Sequence, residues 1–227
     1  MLAGAVLYLM ELLAIIWGGI AGVGTSTVRG AALAEVLSTY AGHADVVYAM
    51  AGWFSVILLG RILLFIGLRQ VLVDSGHRPP LLDFAVAAAT VSVSIETASF
   101  GIAATAAAPA DAGNKPLAML MDQAGAGLNL MIAGGLGVAI VCAVFVMWKS
   151  KLFSMPLVVL GAAAGIGITG AQLAVSPSLQ PLFEVLSYFP FLFWAWILWL
   201  GVVCLRAAPG LSPVRYPDPE PEAEAAF

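Results

Sequence analysis

Apolar residues along this chain gather in long blocks separated by short breaks rich in charge, proline and small polar residues. The blocks cover about 2–24, 47–73, 81–108, 117–148, 152–174 and 182–205. Each is long enough for a membrane-crossing helix, which needs roughly 20 mostly apolar residues. The break at 74–80 ends in Pro79 and Pro80, which cannot continue the preceding helix. The break at 109–116, bounded by Pro109 and Pro116, has the same character. Trp148 to Lys151 reads as a short interfacial hairpin, and Ser176 to Pro181 separates the last two blocks. The pattern predicts an all-α polytopic bundle of six spans over residues 1–206.

The basic residues give that bundle a direction. With the N-terminus on the cytoplasmic side, the inner segments hold Arg69, Arg78, Lys149, Lys151, Arg206 and Arg215, and the outer ones only Arg29 and Lys115. Lys and Arg concentrate in short cytoplasmic segments, so both termini are expected inside. Residues 2–24 lack the basic leader of a secretory signal and are expected to be a retained span. The longest connection, about 25–46, contains Ala31 to Leu37, which is expected to form a short helix on the outer surface. The tail 207–227 is Pro-rich and carries Asp218, Glu220, Glu222 and Glu224, so it is expected to be a disordered cytoplasmic segment.

Composition sharpens the picture. The chain of 227 residues is 62% hydrophobic and 10% charged, against about 25% charged in ordinary soluble domains. The solvent for most of it is expected to be lipid. The net charge of −4 resides in the four acids of the tail. No basic cluster is present to neutralise a run of phosphates, so nucleic acid is not an expected partner. Cys142 and Cys204 lie inside apolar blocks and read as packing residues.

Ionisable groups at membrane depth are costly, so each is a functional candidate with a partner to find. Glu96 lies near the centre of the third block, and helical spacing puts Ser92, Glu96 and Ser99 on one face. Arg61 lies at comparable depth in the second block, and an antiparallel neighbour would set it against Glu96. Such a pair serves either helix register or a ligand or proton site. Glu11, with Tyr8 on the same face of the first block, is expected to join this network. A second group, Asp122, Gln123 and Asn129 on the fourth block with Gln172 and Glu184, is expected near the outer side. With His43 and Asp45 it would form a polar mouth, or else be ordinary solvated interface.

The remaining features concern packing. Gly18 with Gly22, and Gly161 with Gly165, have the spacing that lets helices approach closely. Phe191, Phe193, Trp194, Trp196 and Trp199 read as lipid-facing bulk and interfacial anchors, and Pro190 is expected to kink the last span.

No metalloprotease HExxH, CxxC, phosphate-binding loop or GxSxG elbow occurs. The only histidines, His43 and His77, fall in loops on opposite sides, which argues against haem or metal. No lysine lies mid-span to hold a retinal. No cofactor is expected.

Several short stretches resemble the domain-of-unknown-function 4386 family of bacterial multi-pass membrane proteins. They are Ala3-Gly-Ala-Val-Leu-Tyr-Leu9, Arg61-Ile-Leu-Leu-Phe-Ile-Gly-Leu-Arg69, Ile95-Glu-Thr-Ala98, Asp122-Gln-Ala-Gly125 and Trp148-Lys-Ser-Lys-Leu152 with Pro156. The resemblance spans about residues 1–206 and implies a bundle of six or seven spans in the bacterial cytoplasmic membrane, with no established activity. The favoured expectation is a non-enzymatic membrane protein that binds a small amphiphile or a membrane partner subunit. The alternatives are a small proton-coupled transporter using Glu96, Arg61 and Glu11, and a carboxylate-dependent intramembrane enzyme on a lipid or isoprenoid-type substrate.

Overall fold

A computed structural model describes residues 2–21, 33–77 and 80–207. The expectations for 22–32, for Arg78 and Pro79, and for the tail beyond Ala207 lie outside the described residues. The described chain is helical, with no strand: α1 (Leu2–Ile20), α2 (Leu33–Tyr40), α3 (Ala44–Ile57), α4 (Leu59–Asp74), α5 (Pro80–Ala104), α6 (Ala107–Asp111), α7 (Lys115–Asn129), α8 (Ile132–Ser150), α9 (Met155–Leu173), α10 (Gln180–Leu186) and α11 (Phe189–Ala207).

Several of these are pieces of longer, nearly continuous helices. Five stretches are long and apolar enough to cross a membrane: Ala44–Asp74, Pro80–Asp111, Lys115–Ser150, Met155–Leu173 and Pro177–Cys204. A shorter apolar stretch, Leu2–Gly18, lies in α1. Only 28–56% of each long stretch's apolar window is buried, so large apolar side chains such as Leu13, Ile20, Ile66, Val159, Ile166 and Leu173 face outward. A soluble monomer rarely exposes a continuous apolar surface of this kind, whereas lipid is its natural solvent. Polar side chains on the outer face satisfy themselves locally. The Thr90 and Ser94 hydroxyls donate to the carbonyls of Val86 and Thr90, each 2.9 Å away and one turn back.

The long segments close into a ring. α1 packs on α4, α4 on α5, α5 on α8, α8 on α9, α9 on α11, and α11 returns to α1. Small residues set the tightest crossings, as expected where packing rather than hydrophobic exclusion joins helices. On α9, a Cβ at Gly161 would lie 2.6 Å from the Val144 side chain, and one at Gly165 2.9 Å from that of Val141. A close approach of α1 falls at Gly4 and Gly60, while the Gly18–Gly22 spacing reaches outside the described residues. A Cβ on Gly60 would sit 2.5 Å from the backbone nitrogen of Tyr8 and 2.6 Å from the carbonyl oxygen of Gly4.

Three features differ from the sequence pattern. The break at 109–116 is shorter, because α6 carries the chain to Asp111 and α7 opens at Lys115. There the Asn114 side chain accepts the Leu117 amide at 3.3 Å, with Pro116 in the first turn. Pro190 does not kink a helix. It lies in the first turn of α11, where its missing N–H costs nothing, and the interruption precedes it at Ser187 and Tyr188. Finally, Phe193 and Trp196 are buried while Phe191 and Trp199 are exposed, so α11 turns one aromatic face into the ring.

The Gly60 crossing gives a direct comparison. Gly60→Ala gains about 1 kcal/mol of helix propensity but forces two backbones apart, an overpacking cost of about 1–3 kcal/mol or more. A Cβ at Gly52 meets nothing within 4 Å, so Gly52→Ala keeps the gain alone. In thermal unfolding of the detergent-solubilised protein, Gly60→Ala should lower the midpoint and Gly52→Ala should hold or raise it. Equal shifts would sink the close-crossing account.

Candidate functional site

A guanidinium cannot shed its charge, so Arg61, only 2% exposed, has to be met by partners from neighbouring helices. The Gly4–Gly60 crossing supplies the first. It brings α1 so near that Tyr8, one turn beyond Gly4, accepts from Arg61 Nη2 at 3.0 Å. The guanidinium carbon lies 4.8 Å from the Tyr8 ring centroid, a favourable cation–π distance. α5 supplies the others. Ser92 and Glu96 are one turn apart, and Arg61 Nη1 donates to Glu96 Oε2 at 2.5 Å and to Ser92 Oγ at 3.3 Å.

The cluster is tied to the rest of the ring. The Ser92 hydroxyl donates to the Ile132 carbonyl at 3.1 Å, and the Trp194 indole donates to the Tyr8 hydroxyl at 3.3 Å. Charged and polar groups of α1, α4, α5, α8 and α11 thus meet at one place.

Glu11 stands apart within this cluster. It is 7% exposed, and Arg61, Glu96, Tyr8 and Trp194 are its polar neighbours. Tyr8 and Trp194 are its hydrogen-bonding neighbours, but its Oε2 is buried without a partner. Arg61 Nε is likewise unengaged. Buried polar groups in folded proteins are nearly always bonded, and the exceptions call for an explanation.

Beside the cluster lies a cavity of ≈ 290 Å³, partly open to the molecular surface. The clustered Tyr8, Glu11, Arg61 and Glu96 make its charged side, and Asn129, Gln172 and Ser187 add further polar lining. Apolar walls come from Leu130, Ile132, Leu136 and Ile168, and Phe183, Leu186, Pro190 and Trp194 frame the side toward α10 and α11. Two of the helix interruptions, at Leu130–Met131 and at Ser187–Tyr188, lie on it. At the first, the Met131 amide turns to the Leu128 carbonyl at 2.9 Å, and at the second the Tyr188 amide turns to Val185 at 3.4 Å. Irregular backbone at membrane depth is tolerated where it is buried in protein or lines a cavity.

The structure divides the candidates named from sequence. Glu96, Arg61 and Ser92 are in direct contact, with Glu11 beside them, whereas Ser99 turns to α7 and donates to the Gly125 carbonyl at 3.0 Å. The proposed outer mouth does not assemble as one site. Asn129 and Gln172 line the cavity of the Arg61 cluster. Asp122 is buried against α2, accepting from Tyr40 Oη at 2.9 Å and from Gln123 Nε2 at 3.0 Å. Glu184 is exposed and pairs only with Gln180, at 3.2 Å. Asp45 is exposed and His43 half-buried.

Three contributors escaped the sequence reading: Tyr40, Trp194 and the glycine pair that seats Tyr8. The one signal available was positional, with Gly4 a turn before Tyr8 and Gly60 adjacent to Arg61. Among the described residues, no three His, Cys, Asp or Glu side chains converge to hold a metal ion.

Fold and site together define a multi-pass helical protein of membrane type, with a charged cluster and a cavity inside its ring of helices. Comparison with protein-family models, with curated proteins and with solved structures gives no match to this chain.

The cluster's charges predict an order among variants. Glu96→Gln leaves Arg61 with Glu11 as a neighbouring counter-charge and should be mild. Glu11→Gln combined with Glu96→Gln strands a permanent cation, and a stranded buried charge typically costs about 3–5 kcal/mol. Adding Arg61→Met to that pair should restore the folded yield and thermal midpoint. Failure of the triple variant to recover would show that the cluster is not held by charge balance.

Docking of α2 carries its own pH signature. Burial first, then the Asp122 carboxylate it donates to, push the Tyr40 phenol well above its ordinary value. An acid raised in the folded state stabilises fully below its unfolded value, about pH 10 for tyrosine, and that contribution is lost as pH rises further. Hydrogen exchange of the α2 amides should therefore be constant to about pH 9 after correction for intrinsic rate, then accelerate. Tyr40→Phe should exchange about tenfold faster or more at neutral pH, since hydrogen bonds to charged groups contribute about 1.5–3 kcal/mol. It should also lose the alkaline step, and an alkaline step that persists in Tyr40→Phe would assign it elsewhere.

Proposed function

We propose that this chain is a bacterial inner-membrane protein of six spans, N-in and C-in, that binds a small amphiphilic ligand in the cavity of its helical ring. The observation that carries the reading is the cavity itself. It has apolar walls for a hydrocarbon body and, at one end, a cluster of four polar side chains for a headgroup. Small-molecule sites commonly combine an apolar lining with a few convergent polar groups, at volumes of about 300–1,000 Å³. The present cavity lies at the small end of that range, which suits a short chain or a single ring system.

The six-span topology draws support from α1. It is 19 residues long, it completes the ring between α4 and α11, and it turns Leu13, Ile16 and Ile20 outward. The distribution of Lys and Arg supports the orientation, and the resemblance to the domain-of-unknown-function 4386 family supports the bacterial setting.

A second reading, a small carrier, is favoured by one observation: helices are interrupted on two sides of the cavity. Discontinuous helices around a central site are a feature of transporters. No internal repeat accompanies them, and the binding protein remains the primary reading.

Filling the cavity tests the proposal. Calorimetric titration of n-octanol into the full chain in nanodiscs, with empty discs as reference, should give saturable binding. Ala171→Phe, on the cavity wall, should weaken it at least about tenfold, or 1.4 kcal/mol, while the protein stays monodisperse. Unaltered affinity in a well-folded Ala171→Phe protein would refute the site. Counterflow in proteoliposomes separates carrier from binder, and C-terminal reporter fusions read the orientation.

A further inference from the structure

From the unequal charges at the polar end of the cavity, we infer that the ligand's headgroup is cationic, an organic amine whose ammonium pairs with Glu11. This rests on the cavity-binding reading and specifies its ligand class. The charged residues lining the cavity are Glu11 from α1, Arg61 from α4 and Glu96 from α5, two acids against one base.

The base is already engaged. Arg61 Nη1 holds Glu96 and Ser92, and Nη2 holds Tyr8. These bonds use three of its five N–H groups, and its Nε has no partner. Glu11 is the reverse case, a carboxylate whose Oε2 keeps its acceptor capacity unused. A buried carboxylate in that condition is costly unless it is neutralised by a proton or a cation. Tyr8 and Trp194 are the hydrogen-bonding neighbours of this carboxyl, and they leave its Oε2 without a partner.

An anionic headgroup would approach two carboxylates to reach a guanidinium that Glu96 already neutralises, and repulsion from Glu11 opposes it. An ammonium supplies what the site lacks, a positive charge with several donors. Trp194 and Phe183 also line the cavity, and aromatic rings attract cations electrostatically.

The experiment uses three ligands of equal chain length, n-octylamine, n-octanol and octanoate, titrated into the full chain in nanodiscs at neutral pH. Empty discs correct for partition into lipid. The expected order is amine first, by at least about tenfold over the alcohol, with octanoate weakest. Glu11→Gln should bring the amine down to the alcohol while leaving alcohol binding in place, which also shows that the variant is folded. Should Glu11→Gln not fold, Glu11→Asp keeps the charge on a shorter stem and should reduce the amine preference without abolishing it. Equal binding of amine and alcohol by the unaltered protein, or an amine preference that survives in Glu11→Gln, would overturn the inference and leave the amphiphile site standing. Binding of none of the three would overturn both.

Discussion

An arginine inside a bundle of membrane helices is a constraint that the rest of the structure must answer. Lysine or a carboxylate in the same place has the option of becoming neutral, and a guanidinium does not. Arg61 therefore needs acceptors on several sides at short range, and each has to be delivered by a different helix. Glu96 and Ser92 come from one face of α5, and Tyr8 from α1. Delivery from α1 is possible only because Gly4 and Gly60 remove two side chains from the crossing. The ion pair and the glycine contact are thus one device, with the second setting the distance that the first requires.

Once that device is in place, the shape of the protein follows. α1 is fixed against α4, and α11 must return to α1 to close the ring, which carries Trp194 to the Tyr8 hydroxyl. Ser92 spans the other way and holds the Ile132 carbonyl, at the point where the helix through α7 and α8 is interrupted. The polar cluster is thereby the meeting point of nearly every long segment. The cavity lies beside it, between the cluster and residues of α7 to α11.

Part of this was legible in the sequence and part was not, for physical reasons. Helical class and apolar blocks are written in composition and block length, since lipid leaves few alternatives for either. Arg61 and Glu96 are conspicuous because charge at membrane depth is rare, and an antiparallel turn between consecutive helices puts them at the same level. The outer polar residues were not separable in the same way. Asp122, Asn129 and Gln172 each look polar and near an end, but which neighbour each meets depends on helix rotation, and the apolar surroundings offer no pattern to fix that rotation. Tyr40 could not be tied to Asp122, because its position depends on how a short helix folds back over α7. The aromatic run of α11 misled for a related reason: bulk alone does not tell the lipid face from the buried one, and Phe193 and Trp196 fall on the second.

A structural account of the cluster explains one carboxylate and stops there. Neutralising Arg61 takes one carboxylate, the part Glu96 plays, and the hydrogen bonds of Ser92 and Tyr8 complete the work. Glu11 is surplus to that requirement, since its Oε2 has no partner and a glutamine or leucine in its place would leave the guanidinium paired with Glu96. The cavity is surplus too, for close packing of α9, α10 and α11 against the cluster would bury more surface than the open arrangement does. A second carboxylate and an adjoining space are both unfavourable for folding taken alone, and they occur at the same place. Two costs that coincide are most simply explained by one function, which is to receive a ligand that fills the space and answers the charge.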